Sequence, residues 1–85
     1  MNILEAIIQD RYDERFIKAD GFDDAVIGIC YHSSRLIYSY KKCLEMLIDE
    51  GMNEFDAIEH LNYNTMCAYM GKKTPIWCMD NYRML

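Results

Sequence analysis

Residues 25–38 read AVIGICYHSSRLIY, and the architecture follows from this stretch. An apolar run rich in β-branched residues occupies 25–31, and the polar link His32-Ser33-Ser34 separates it from a second apolar run at 35–38. Two such runs joined by a short polar link are typical of a β-hairpin. We therefore expect two strands over these runs with a turn between them.

Two helices are expected directly after the hairpin. Ser39 suits the N-cap of a helix over 40–50, which is apolar on one face and is followed by Gly51 as its C′ residue. Asn53 suits the N-cap of a second helix, which Gly71 can end. Because the link between them is short, the helices should be antiparallel neighbours. The stripe expected on the second helix contains Phe55, Ile58, Leu61 or Asn62, Thr65 and Tyr69.

The two ends of the chain complete an α+β domain. Residues 2–9 place Ile3, Leu4, Ile7 and Ile8 on one helical stripe, although a strand remains the alternative. Gly21 and its neighbouring aspartates predict a turn. Pro75 ends any helix, and 76–78 suit a short strand at the sheet edge. We expect one α+β domain over 1–85, with a β-hairpin plus C-terminal strand packed against an antiparallel helix pair and a short N-terminal helix.

Length and charge exclude several classes of protein. The chain has 85 residues and is 52% hydrophobic, so we expect a single folded domain rather than a disordered tail. Its net charge of −5 argues against direct binding of duplex DNA. The N-terminus lacks a basic region before its apolar residues, and no run reaches the roughly 18 apolar residues of a membrane helix. We expect a cytoplasmic protein without a membrane partner.

The residues give little sign of catalysis or of a metal. Four cysteines occur without a C-x-x-C pair, so we expect reduced thiols, with a zinc site using His32 or His60 as the weaker alternative. Aspartates 20, 23 and 24 lack calcium-loop spacing. Neither histidine belongs to a nucleophile–base signature. We therefore expect no catalytic residue, no metal and no cofactor.

Binding is the more plausible chemistry. The segment from Leu61 to Met79 contains no acidic residue, and aromatic, amide, hydroxyl and lysine side chains together can stack a base and hold a phosphate. In the alternative interpretation, Tyr69 and Trp77 belong to the core, and the two lysines only complement a helix end. The candidate ligand-binding residues are Arg35, Tyr38, Asn64, Tyr69, Lys72, Lys73, Thr74 and Trp77.

Methionine usage predicts self-association. Six of the seven methionines lie in the C-terminal half of a small chain, which indicates more apolar area than one core needs. A homo-oligomer would bury that area, whereas a methionine-rich monomer core is the alternative.

Seven stretches of the chain have a recognisable pattern: GFDDAVIG at 21–28, LIYSY at 36–40, GMNE at 51–54, DAIE at 56–59, NT at 64–65, AYMG at 68–71 and TPI at 74–76. Together they resemble a family of small, uncharacterised bacteriophage proteins. The similarity covers about residues 20–77, and its motifs take the form GFDDAxxG, GMxEEEAIE-like, NTxxAYxG and TPI. The family is acidic after the glycine at 71, where this chain carries Lys72 and Lys73. The resemblance implies a phage origin and an intracellular role during infection.

Three functions are consistent with these features. The first is a phage protein that counters bacterial defence by binding, as an oligomeric sponge that sequesters a small anionic nucleotide signal. The second is an anti-CRISPR-like inhibitor, whose acidic surface blocks a host defence protein such as a nuclease. The third is a housekeeping phage protein without an anti-defence role. The acidic surface of the second hypothesis comprises Asp49, Glu50, Glu54, Asp56 and Glu59.

Overall fold

The chain folds in the predicted α+β order. A computed structural model describes residues 2–65 and 71–82, with the side chain of Asn64 left out. The fold class is confirmed, and the strands differ from the predicted ranges by only one or two residues. The elements are α1 (Ile3–Asp10), a 3-10 turn (Asp23–Ala25), β1 (Val26–Ile29), β2 (Leu36–Ser39), α2 (Tyr40–Asp49), α3 (Glu54–His60), a π-helical segment (Leu61–Thr65) and β3 (Ile76–Cys78).

The sheet has β2 at its centre. β1 pairs with β2 in the antiparallel sense, as expected of a hairpin, and the register shifts between Val26 and Gly28. β3 pairs with β2 in the parallel sense, with Tyr38 opposite Trp77. Parallel neighbours need a long crossover, and the helical region after β2 supplies it. In the described part of the chain, β3 is therefore an edge strand, as predicted.

The core lies between the sheet and the helices. α1 packs on β1, α2 contacts β2, and α3 packs on α2. Tyr38 is fully buried, and its hydroxyl accepts a hydrogen bond of 2.8 Å from the backbone N–H of Ala19. This bond fastens the segment before the hairpin to the central strand. The fully buried large side chains also include Leu36, Leu61, Val26 and Cys43.

Both predicted ends of α2 are confirmed. Ser39 is the N-cap, and its Oγ accepts a hydrogen bond of 3.0 Å from the Lys42 N–H. At the other end, Gly51 has φ +108°, and its N–H bonds the carbonyl of Ile48. The N–H of Met52 bonds the carbonyl of Leu47, which completes a Schellman motif. Asn53 caps α3, also as predicted, by accepting from the Asp56 N–H at 2.8 Å.

Two predicted apolar stripes need correction. On α3, Phe55 is 70% exposed, whereas Ala57 and Leu61 are fully buried. The helix packs through its small alanine, which lies about 160° around the axis from Phe55. On α1, Leu4 is buried and Ile7 packs against the core, whereas Ile3 and Ile8 are exposed. Tyr69, the last predicted member of the α3 stripe, lies outside the described residues.

None of the helices within residues 2–65 and 71–82 combines the length and the apolar character required to cross a membrane.

Candidate functional site

The turn of the hairpin presents aromatic rings to solvent. The N–H of Cys30 bonds the Arg35 carbonyl at 2.8 Å, and the N–H of Ser34 bonds the Cys30 carbonyl at 2.9 Å. Tyr31 is 92% exposed, and His32 beside it is also exposed. Their rings meet edge to face, with 5.2 Å between centroids. Because the backbone bonds fix the turn, both rings are held at its tip.

Arg35 connects this turn to the segment before β3. Its Nε donates a hydrogen bond to the carbonyl oxygen of Thr74. The Oγ1 of Thr74 in turn donates to the carbonyl of Gly71 at 2.6 Å, and the Thr74 N–H bonds the same oxygen at 3.1 Å. Arg35 and Thr74, two of the candidate ligand-binding residues, are therefore in direct contact in the fold.

Two further cations reach the same turn. The Nζ of Lys73 donates to the Ser34 carbonyl at 3.2 Å and lies 5.5 Å from the centroid of the Phe16 ring. The guanidinium of Arg11 contacts Glu14 at 3.4 Å and the Oγ of Ser34 at 3.5 Å. We call residues 30–35, together with Arg11, Lys73 and Thr74, the hairpin cluster. It gathers three positive side chains in an acidic protein.

The cluster stabilises negative charge. The hydroxyl of Ser33, followed by the N–H groups of Ser33 and His32, lowers the pKa of the Cys30 thiol, and the charge of Arg35 adds to this effect against partial burial. Cys43 shows the opposite behaviour, because burial and the charge of Asp80 raise its pKa to about 12. Hydrogen-bond donors and positive charge therefore act on the thiol at the turn, Cys30, but not on the buried thiol, Cys43.

Tyr38 does not belong to a ligand-binding surface, which corrects the prediction. Alternate residues of a strand point to opposite faces, so Tyr38 turns inward with Leu36. Its ring packs against Trp77, with 5.1 Å between centroids. Trp77 is half-buried, in accord with its alternative interpretation as a core residue. Burial also raises the pKa of Tyr38, which keeps its hydroxyl protonated.

The remaining predicted residues divide into two groups. Lys72 is exposed next to Lys73, whereas Lys73 and Thr74 are half-buried in the cluster. Tyr69 and the side chain of Asn64 lie outside the described residues. The sequence analysis missed Arg11 and Phe16, because both belong to a charge-rich stretch without periodicity. Only tertiary folding brings that stretch to the turn.

The described residues include three of the four cysteines and both histidines. Cys30, Cys43 and Cys78 are free thiols. Within 2–65 and 71–82, no group of three His, Cys, Asp or Glu side chains is arranged to hold a metal ion.

No protein-family model, curated protein or solved structure matches the chain. Function is therefore inferred from the residues and from their geometry.

Proposed function

We propose that this protein binds a small anionic nucleotide at the hairpin cluster. The convergence of Arg11, Arg35 and Lys73 on one exposed turn is the observation that carries the proposal. Guanidinium and ammonium groups hold phosphate through charge-assisted hydrogen bonds. The exposed rings of Tyr31 and His32 offer surfaces on which a base can stack.

Local electrostatics support an anionic ligand. The net charge of −5 would repel a phosphate from most of the surface. At the hairpin cluster, however, the donors of the turn and Arg35 lower the pKa of Cys30, so they stabilise negative charge on its sulfur. A phosphate oxygen placed beside the turn would experience the same donors and the same positive charge.

The biological setting of the proposal comes from the phage resemblance. We propose that the protein acts in the cytoplasm of an infected host, by sequestering a nucleotide immune signal without converting it. A chain of 85 residues has little surface with which to enclose a nucleotide. We further propose that copies associate, so that an adjoining subunit covers the ligand held at the hairpin cluster.

Calorimetry tests the binding directly. The chain is titrated with cyclic dinucleotides and with ADP-ribose-derived signals, and we expect heat from at least one of them. Lys72→Glu combined with Lys73→Glu should abolish that heat, because it reverses the charge beside the turn. Lys41→Glu combined with Lys42→Glu is the matched control, since it changes the net charge equally at the start of α2. Absence of heat with every ligand contradicts the proposal.

Native mass spectrometry tests the association of copies. We expect an oligomer whose stability increases when the nucleotide is added, because a ligand that binds only the assembled state favours that state. A strictly monomeric chain that still binds the nucleotide would remove the oligomeric part of the proposal and leave the ligand site intact.

A further inference from the structure

The outward side of α3 and of the segment after it carries aromatic residues that are exposed to solvent. Phe55 is 70% exposed and Tyr63, in the following π-helical segment, is 78% exposed. Ala57 and Leu61 are fully buried on the opposite side, so packing fixes the rotation of the helix. We define the outer α3 face as Phe55, Asp56, Glu59 and Tyr63. Its orientation toward solvent is therefore a property of the fold.

This face lies in the most acidic part of the sequence. Residues 49–59 contain five acidic side chains and no basic one, and all five are exposed. In the described part of the chain, the ion pairs use Asp10, Glu14 and Asp23 instead. The negative charge around Phe55 is therefore not neutralised by described cations. The five acidic residues are Asp49, Glu50, Glu54, Asp56 and Glu59.

We infer that the outer α3 face docks a basic amphipathic segment of another protein. Apolar side chains along one stripe of the partner would cover Phe55 and Tyr63, while lysine or arginine residues beside that stripe would pair with Asp56 and Glu59. Aromatic residues are enriched at the centres of protein interfaces, and opposite charges fix their register. Charge complementarity thus specifies the partner.

Other occupants fit this face less well. A second copy placed face to face would bring Asp56 and Glu59 against the same acidic residues, which is repulsive. Nucleic acid is excluded for the same reason, because its backbone is anionic. The face shares no residue with the hairpin cluster, and α3 packs on α2 and on the π-helical segment that follows it. The inference therefore does not depend on the proposed nucleotide site.

A labelled peptide supplies a defined probe. We would use a helical peptide of lysine and leucine whose leucines form one stripe, and an all-lysine peptide of the same charge for comparison. Fluorescence anisotropy should show that the amphipathic peptide binds and that Phe55→Ala weakens it by about tenfold or more, as expected of an interface anchor. Tyr12→Ala removes another strongly exposed ring, in the turn after α1, and should change the affinity by less than about twofold.

Two charge-reversal variants complete the test. Glu59→Lys should weaken peptide binding, whereas Asp13→Lys changes the net charge equally at an exposed site outside the face and should have little effect. Both side chains are exposed, so circular dichroism should show that the variants stay folded. No binding of the amphipathic peptide, or equal binding by the all-lysine peptide, overturns the inference. Self-association of the free chain that Phe55→Ala abolishes would also overturn it, by identifying a second copy as the occupant.

Discussion

A single carboxylate, Asp80, joins the end of β3 to the start of α2. Its oxygens accept hydrogen bonds from the Ser39 hydroxyl, at 2.5 Å, and from the Lys41 N–H, at 2.9 Å. Partial burial alone would raise the pKa of Asp80, but these hydrogen bonds outweigh it and lower the pKa. The first turn of α2 is thus capped by Ser39 and, from a distant part of the chain, by Asp80.

Removing this carboxylate should destabilise the fold. Asp80→Ala leaves the Lys41 N–H without its acceptor, so we expect the free energy of unfolding to fall by about 1–2 kcal/mol, as for loss of a helix cap. Asp13→Ala, at an exposed turn position, is the control and should be nearly neutral. Urea denaturation monitored by circular dichroism measures both. Equal stability of Asp80→Ala and the parent chain would contradict this capping role.

The same carboxylate predicts a pH dependence. Folding lowers the pKa of Asp80 below its ordinary value of 3.8, so its stabilising contribution is complete above that value. The contribution is lost as the pH falls through the lowered pKa of the folded state, because the acid must then be protonated. The stability difference between Asp80→Ala and the parent chain should therefore shrink below pH 3.8. A difference that grows in acid would show that the cap is not ionic.

Two cysteines should differ sharply in reactivity. The thiolate is the nucleophile, and the Ser33 hydroxyl with nearby donors lowers the pKa of Cys30, whereas burial raises that of Cys43 to about 12. Iodoacetamide at neutral pH should label Cys30 first and Cys43 only after unfolding, as read by peptide mass spectrometry. Ser33→Ala should slow the labelling of Cys30. An unchanged rate in that variant would show that the turn does not activate the thiol.

At the scale of elements, Gly51 ends α2 in a conformation that other residues adopt with strain. Its φ is +108°, and an added Cβ would meet nothing within 4 Å, so the cost of Gly51→Ala lies in the backbone itself. We expect a loss of about 1–2 kcal/mol. Gly28→Ala in β1 is the matched control, since its Cβ is also unobstructed and its φ is not positive. In thermal unfolding, Gly51→Ala should have a clearly lower midpoint temperature than Gly28→Ala. The reverse order would contradict the assignment of a Schellman motif at Gly51.

Elements whose signals are local could be predicted from the sequence. The hairpin link and the caps at Ser39, Gly51 and Asn53 depend on near neighbours, and the structure confirms them. The α3 stripe was predicted correctly at Leu61, which is buried, but wrongly at Phe55, because its periodicity was counted from that large side chain although the helix packs through Ala57. In the π-helical segment after His60, the spacing between residues on one face differs from that of an α-helix. An apolar pattern counted at α-helical spacing therefore does not predict this segment.

The candidate site was also only partly predictable from the sequence, because it depends on contacts between residues that are far apart in the chain. Residues 72–74 were singled out by composition, and folding brings Lys73 and Thr74 to Arg35. Tyr38 was assigned to the site by residue type, although its place in the strand pairs it with buried Leu36. Arg11 reaches Ser34 across 23 positions of sequence, a contact that only the tertiary structure creates.

At the scale of the whole molecule, the charges divide between two surfaces. The acidic residues of 49–59 surround the outer α3 face, whereas Arg11, Arg35 and Lys73 meet at the hairpin cluster. An acidic protein with a net charge of −5 thus has a turn at which three cationic side chains meet, one of which, Arg11, is also paired with Asp10 and Glu14. Such a protein can attract partners of opposite charge at different places, and each attraction should weaken as salt screens it.

This division predicts that the two proposed interactions are independent. Lys72→Glu with Lys73→Glu should abolish nucleotide heat and leave peptide binding nearly intact, while Phe55→Ala should do the reverse, because sites without shared partner residues act additively. Raising the salt from about 50 mM to about 300 mM shortens the screening length and should weaken both interactions. Peptide binding that remains at high salt should still depend on Phe55, since burial of its ring is not electrostatic. If either variant abolishes both interactions while its circular dichroism spectrum stays unchanged, the two ligands share one surface, and the charge division does not separate two functions.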